Sequence, residues 1–169
     1  MQYVPELTWI LFLRILDERE QTEAEEATAM QRSFTPSLRY PYRWQDWAAP
    51  NAPHRKALWD AGSGALFTFI NTDLLPYLRR LKDQPNATPR QCVISEIMSG
   101  VERVRIDTER NLLDVLDKVN EISEETIDRT HVFPISQAYE GLLLRMGEKN
   151  NDGGQFFTPR EVIRAMVKA

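Results

Sequence analysis

The residues best suited to chemistry in this sequence lie in its last eighteen positions, Asp152 to Ala169. Two glycines and an aromatic pair lead into a helix start, in which Thr158 can cap the first turn, Pro159 suits the first helical position and Glu161 completes a capping box. The free N–H groups and partial positive charge of such a helix start suit a carboxylate or a phosphate. An isolated capping box is also typical of an ordinary helix, so the neighbouring residues must decide between the two interpretations.

The neighbouring residues resemble a known family. The segment 154–160, Gly-Gln-Phe-Phe-Thr-Pro-Arg, is similar to the entry of the catalytic domain in the modification subunit of type I restriction–modification systems, which are DNA adenine methyltransferases. Two further segments, 6–17 near the start and 138–143 near the end, are similar to the same family. The three segments follow one another in the family's order and span the chain, and the last of them is the most specific.

The resemblance implies methyl transfer from S-adenosylmethionine to the exocyclic amine of adenine in double-stranded DNA. It also implies assembly with a specificity subunit, a second modification subunit and a restriction subunit. In the family the aromatic-Thr-Pro segment borders the cofactor and the helical domain closes over DNA. The cofactor-binding residues that this implies here are Gln155, Phe156, Phe157, Thr158, Pro159 and Arg160. Thr158 and the N–H groups behind it would face the methionine carboxylate, and one of the two phenylalanines would line the pocket.

The rest of the methyltransferase chemistry is missing from these 169 residues. A methyltransferase of this family needs an acidic glycine-rich loop after its first strand, and an Asn/Asp-Pro-Pro-aromatic tetrapeptide that holds the flipped adenine. The sequence contains neither pattern, and it also lacks a P-loop, a zinc-ligand set and a Ser/His/Asp set. We therefore predict no catalytic residue in this chain, no activity of the fragment alone, and no strong binding of S-adenosylmethionine by it.

Composition limits the remaining classes. The net charge of −4 and the pI near 5.3 argue against a protein that binds nucleic acid by bulk electrostatics. A single cysteine excludes an intramolecular disulfide and fits a reducing compartment. The only long apolar run near the start, 9–16, is interrupted by Arg14 and is too short to span a bilayer. We expect a soluble, cytoplasmic protein that contains no metal and does not contact the membrane.

The pattern of apolar residues predicts an all-α fold, a multi-helix bundle over residues 1–150. Residues 151–169 are predicted to be a flexible linker followed by the first helix of a truncated methyltransferase domain. The first helix should be buried along 7–16 and solvated along its acidic continuation, 17–26.

Several later positions carry more specific expectations. Pro76 should mark the restart of a helix capped by Asp73, and Asp107 should cap the helix that follows it. Thr88 should cap a helix whose buried face carries Val93, Ile94, Ile97, Met98 and Val101, with Cys92 in the core beside it. His54, which has no second ligand at metal spacing, should be a surface or capping histidine.

The segment Phe34–Pro53 mixes prolines, aromatic residues and arginines, which predicts an ordered loop containing a short helical turn. Its Arg39–Trp47 portion could stack on bases or be held down by its own rings, and we favour the second interpretation.

Three functions therefore compete. The first is the methyltransferase subunit, the second is a stand-alone helical interaction module without catalytic activity, and the third is a direct DNA binder that uses the Arg39–Trp47 loop.

Overall fold

The computed structural model describes residues 4–121, which belong to one compact unit, residues 2–123. The described residues are helical and contain no strand, which confirms the predicted all-α class. In chain order the helices are α1 Val4–Ala29, α2 Trp44–Trp47, α3 Pro53–Asp60, α4 Ala65–Thr68, a π-helical turn Phe69–Leu74, α5 Leu75–Arg79, a 3-10 turn Leu81–Asp83, α6 Pro89–Met98 and α7 Glu109–Asn120. No helix in this part of the chain combines the length and apolar character needed to cross a bilayer.

The apolar half of α1 forms the centre of the core. Helices α2 and α7 pack against α1, while α5 packs against α6. The side chains most deeply buried in the described residues are Trp9, Ile10, Leu13, Trp44, Trp47, Ile70, Leu74, Leu75, Leu78, Leu81, Ile94 and Met98. The buried first half of α1 was predicted from the sequence and is confirmed. Burying an aliphatic or aromatic side chain of this size contributes about 1.5–3 kcal/mol, so this cluster dominates the stability of the unit.

The break before α4 depends on two glycines. Gly62 and Gly64 have φ values of 107° and 89°, which favour glycine because other residues meet a steric penalty there. They lie between the end of α3 and the start of α4.

The predicted restart at Pro76 is wrong in its mechanism. Helix α4 runs into α5 without a break through the π-helical turn, and the N–H of Leu75 bonds to the carbonyl of Ile70. Pro76 lies in the first turn of α5, but Asp73 lies within the π-helical turn and caps nothing. A single wider turn accommodates the ring and missing donor of a proline without ending the helix.

The N-cap of α6 agrees with the prediction from the sequence, whereas that of α7 differs from it. The Thr88 hydroxyl accepts from the N–H of Gln91 at 3.2 Å, and the Gln91 side chain accepts from the N–H of Thr88 at 2.9 Å, which confirms the predicted capping box. Helix α7 is capped by Thr108, which accepts from the N–H of Asn111 at 3.2 Å. The predicted cap, Asp107, is one residue too early; a threonine hydroxyl serves the same purpose.

The buried face of α6 differs from the predicted one. Ile94, Ser95 and Met98 are buried, whereas Val93 and Ile97 are 53% and 45% exposed. Cys92 is also exposed, so its predicted place in the core is wrong. The helical period of the apolar residues was read correctly, but the face that meets α5 is rotated toward Ser95.

Candidate functional site

The predicted cofactor residues, Gln155 to Arg160, lie outside the described residues, as does the segment 138–143. The structure gives the geometry of three other regions. These are the aromatic loop 34–52, the acidic half of α1, and a groove between α3 and α7.

The rings of Tyr42, Trp44 and Trp47 in the aromatic loop are packed against the helices rather than presented to solvent. Tyr42 stacks on Tyr77 with ring centroids 4.0 Å apart, and Trp47 lies 6.0 Å from Phe69. Trp44 donates from Nε1 to Oδ1 of Asn120 in α7 at 2.9 Å. These contacts confirm that the loop is held down by its own rings, which was the favoured interpretation.

The two arginines of this loop differ in how they are engaged. Arg43 donates from Nε and Nη2 to the buried carboxylate of Asp46, at 2.9 and 2.8 Å, and this hydrogen-bonded pairing raises the pKa of the guanidinium. Arg39 is exposed and lies over the Tyr77 ring, with its guanidinium carbon 5.3 Å from the centroid. Its neighbour Tyr40 is 58% exposed. Of the loop's Arg and aromatic groups, Arg39 and Tyr40 are therefore the ones that an approaching nucleic acid could reach.

His54 belongs to the same aromatic cluster. It lies in the first turn of α3, half-buried, with its ring 4.6 Å from Phe69 and 6.3 Å from Tyr40. The expected surface or capping role is therefore wrong, because the ring packs edge-on against two aromatic neighbours. Among residues 4–121 no group of three or more His, Cys, Asp or Glu side chains is arranged to hold a metal ion.

The acidic half of α1 is not simply solvated, contrary to the prediction. Glu20 is buried and accepts from the N–H of Ser37 at 3.0 Å. Arg90 of α6 makes a two-pronged contact with Glu23, at 2.7 and 2.8 Å. This contact lowers the pKa of Glu23, mainly through the hydrogen bonds from Arg90. The carboxylates of this half therefore fix the start of the aromatic loop and the start of α6 to α1.

Asp17 lies where the apolar and acidic halves of α1 meet. Burial raises its pKa from 3.8 to about 6, and this outweighs a backbone hydrogen bond from Gln45 and the nearby Arg14 and Arg43, which act in the opposite direction. Asp17 is thus a partly desolvated carboxyl close to the α2 junction.

A groove with a volume of about 1180 Å³ lies between α3 and α7. Its two sides are joined by Arg55 of α3 and Asp117 of α7, whose atoms pair at 2.6 and 3.0 Å. Glu109 closes one end, because its carboxylate accepts from the N–H groups of Gly64 at 2.8 Å and Leu66 at 3.0 Å at the start of α4.

An exposed tryptophan marks the rim of this groove. Trp59 is 72% exposed, and Lys56 and Arg110 lie on the same groove walls with exposed side chains. No motif or charge pattern in the sequence singles out this region. The one sequence feature that points to it is Trp59, which lies in a short helix among charged residues. The opposite wall of the groove is α7, which follows about fifty residues later in the chain.

Comparison with known proteins finds matches over nearly the whole chain. The family described as "HsdM N-terminal domain" matches residues 1–119, and the family described as "N-6 DNA Methylase" matches residues 130–169. The methylase subunit of the type I restriction enzyme EcoEI from Escherichia coli is 31% identical over 166 residues, which is 98% of this chain and 31% of that protein.

Two solved structures are similar. A modification subunit of a putative type I restriction enzyme from Vibrio vulnificus YJ016 superposes with a TM-score of 0.70 and 35% identity, over 97% of this chain and 34% of that one. A chain from a structure describing complex assembly and conformational transition of the type I restriction–modification system has a TM-score of 0.64 and 36% identity, over 99% of this chain and 30% of that one. The chain therefore spans about a third of the length of these relatives.

Proposed function

Because the chain belongs to the HsdM N-terminal domain family of type I modification subunits, we propose that it is the N-terminal part of a type I DNA methyltransferase subunit. When complete, this subunit transfers a methyl group from S-adenosylmethionine to the exocyclic amine of adenine in DNA. The observation that carries the proposal is the succession of the two family matches along one chain, the second of which covers its last forty residues.

The helical domain, residues 1–150 in this proposal, contributes DNA clamping and subunit assembly. The described residues favour a structural role for this domain over a catalytic one, because its buried polar groups are engaged in packing and in binding backbone N–H groups of the same unit. Glu20 and Asp46 hold backbone N–H groups and arginines of this same unit. Arg39 and Tyr40 are the exposed groups of the aromatic loop available to DNA. The proposed partners are double-stranded DNA, a specificity subunit, a second modification subunit and a restriction subunit, in the cytoplasm.

The start of the methyltransferase domain, residues 151–169 in this proposal, contributes one edge of the cofactor site. S-adenosylmethionine supplies the methyl group, and its carboxylate would meet Thr158 and the free N–H groups of the helix start. Gln155, Phe156, Phe157, Pro159 and Arg160 complete this edge, with one phenylalanine against the cofactor. The catalytic tetrapeptide is to be found beyond Ala169 in the gene, so the fragment alone would be inactive.

The test uses the full-length subunit assembled with its specificity subunit and tritiated S-adenosylmethionine. Thr158→Ala should raise the KM for the cofactor. The chain also provides a matched control, because Thr88 opens α6 with the same Thr-Pro-Arg sequence. Both substitutions should remove a helix cap worth about 1 kcal/mol, but only Thr158→Ala should weaken cofactor use.

Two results would contradict the proposal. Equal KM values for the two variants would remove Thr158 from the cofactor site. A gene in which codon 169 is followed neither by an acidic glycine-rich loop nor by an Asn/Asp-Pro-Pro-aromatic tetrapeptide would remove the methyltransferase itself. That second result would favour the alternative, a stand-alone interaction module, for which the open groove between α3 and α7 is the supporting observation.

A further inference from the structure

One exposed arginine of the described surface is held in place by aromatic rings rather than by a carboxylate. The Arg39 guanidinium carbon lies 5.3 Å from the centre of the Tyr77 ring and 5.9 Å from that of Tyr42, and these two rings stack on each other at 4.0 Å. The backbone of Arg39 is fixed as well. Its N–H donates to the Tyr77 hydroxyl at 3.3 Å, and its carbonyl accepts from the N–H of Tyr42 at 2.8 Å. The stacked pair therefore sets the position of an exposed cation.

The described part of the protein does not use the N–H donors of this guanidinium. Arg43, Arg55 and Arg90 each donate to a carboxylate within residues 4–121, whereas the Arg39 side chain forms neither an ion pair nor a hydrogen bond with any of these residues. Contact with a ring leaves the planar donor edge of an arginine free, and that edge matches two oxygens of one phosphate or carboxylate. Because the side chain is already positioned, it loses less conformational freedom when an anion binds.

The aromatic loop, residues 34–52, has one uncompensated charge. Its charged side chains are Arg39, Arg43 and Asp46, and the last two neutralise each other in a two-pronged contact. Tyr40, the residue after Arg39, is 58% exposed and carries a hydroxyl that can donate to an oxygen of an anion. The turn 39–42 therefore presents one cation and one hydroxyl to an anionic partner.

The chemistry of this turn fits a DNA phosphate better than it fits a protein surface. A protein interface of ordinary size buries about 800 Å² on each partner around an apolar core. Among the described residues, Tyr40 is the only exposed large apolar side chain of the loop, so the turn does not supply such a core. Arginine and tyrosine side chains are, by contrast, common donors to the phosphate oxygens of duplex DNA.

We infer that Arg39 binds a phosphate of the duplex on which the complete subunit acts. Tyr77 and Tyr42 are positioning residues, which hold the guanidinium for this contact, and Tyr40 donates to the same strand beside it. Because the contact is made to the DNA backbone, it adds affinity without reading the sequence. The inference rests on the proposed function, which supplies duplex DNA as the partner, and it names the group that holds the backbone.

The salt dependence of duplex binding tests the contact at Arg39. A fluorescein-labelled duplex of unrelated sequence is titrated, by anisotropy, with the full-length modification subunit assembled with its specificity subunit. Arg39→Gln should weaken binding about tenfold at low salt. It should also reduce the slope of the logarithm of the binding constant against the logarithm of the salt concentration by about one, because one phosphate contact is lost. The control, Arg19→Gln, removes the same charge from a side chain that is 71% exposed on α1, and it should change neither quantity.

The role of Tyr77 needs a separate test, because a positioning residue must act through Arg39. Tyr77→Leu removes the ring beneath the guanidinium and should weaken duplex binding in the wild-type background. In the Arg39→Gln background the same substitution should have no further effect on the Kd. Tyr77→Phe keeps the ring and should bind the duplex nearly as well as the wild type. Equal weakening by Tyr77→Leu in both backgrounds would exclude the positioning role.

Three results would overturn the contact itself. They are an unchanged slope for Arg39→Gln, an equal loss of slope for Arg19→Gln, and failure of Arg39→Gln to assemble with the specificity subunit, which would make Arg39 a protein contact. Methyl transfer from tritiated S-adenosylmethionine to a duplex that carries the recognised site is measured on the same preparations. Wild-type transfer alongside an unchanged slope would remove the Arg39 contact and leave the proposed function standing. A wild type that neither binds nor methylates duplex DNA would remove both.

Discussion

Helices α6 and α7 have similar N-terminal caps but differ in how well their apolar residues predict the buried face. Each starts behind a threonine N-cap, and each carries apolar residues at helical spacing. In α7 the apolar stripe is the buried face, with Leu112, Leu116 and Val119 inside. In α6 three of the predicted core residues, Cys92, Val93 and Ile97, are on the surface, and Ser95 is fully buried.

The difference lies in the polar contacts that each helix makes. Ser95 donates to the carbonyl of Arg79, Gln91 donates to the carbonyl of Ser37 at 2.8 Å, and Arg90 pairs with Glu23 of α1. These three contacts fix the rotation of α6 about its axis, and the apolar residues on its other side remain exposed. Helix α7 also makes polar contacts, through Glu109, Asp117 and Asn120, but these leave its apolar stripe buried. A hydrophobic stripe therefore predicts a helix more securely than it predicts the buried face.

The largest effect should come from the core of α7. Leu116→Ala should lower the free energy of unfolding by about 3 kcal/mol, because it removes a buried side chain and leaves a cavity. Val93→Ala on α6 provides the contrast and should change it by less than about 0.5 kcal/mol, since the side chain is already exposed. Urea denaturation of the two variants measures both values. A loss of several kcal/mol at Val93 would show that the surface face of α6 is wrongly assigned.

A smaller effect should follow from removing the polar anchor of α6. Ser95→Ala should cost about 2 kcal/mol, because the partly buried Arg79 carbonyl would lose the hydroxyl that donates to it. Ser99 in the same helix region provides the control: its hydroxyl also donates to a carbonyl, that of Glu96, but at an exposed site. Ser99→Ala should therefore be close to neutral. Equal losses for the two variants would mean that Ser95 does not hold the rotation of α6.

The smallest change in the free energy of unfolding is expected at Asp17, beside the acidic half of α1, where polar contacts rather than the sequence pattern also decide which side chains are buried. The raised pKa of Asp17 means that the folded protein holds its proton more tightly than the unfolded chain, so this group's contribution to stability falls as pH rises from about 3.8 through about 6. Asp17→Asn should therefore stabilise the protein at pH 7.5 by about 1 kcal/mol once solvent screening is allowed for. The gain should shrink at pH 5. A gain that is independent of pH would exclude ionisation of Asp17 as its cause.

The sequence was sufficient wherever local chemistry or a continuous apolar run decides the structure. The Thr88 capping box, the glycine break between α3 and α4, and the buried first half of α1 all follow from residues within one or two turns of each other. The packing of Tyr42, Trp44 and Trp47 in the aromatic loop was also predicted correctly, because burial of large aromatic rings is strongly favourable.

The errors at Glu20 and at the α3–α7 groove share a physical cause, which is a partner distant in the chain. Glu20 is buried because Ser37 and Arg90 meet it, and Arg90 lies seventy residues away. The groove is formed by Trp59 from α3 and Arg110 from α7, and no local sequence pattern at either residue predicts that the two helices face each other. The predicted cofactor residues, 155–160, lie outside the described part of the chain and remain predictions.

The carboxylate of Glu109 has a consequence for how this unit opens. It accepts from the N–H groups of Gly64, Leu66 and Phe67, so the first turn of α4 takes its capping group from a residue more than forty positions later. Detachment of α7 would uncap α4 at the same moment. Amide hydrogens at these three positions should therefore exchange with deuterium at the rate of the α7 backbone, so that two helices distant in sequence fray as a single cooperative segment.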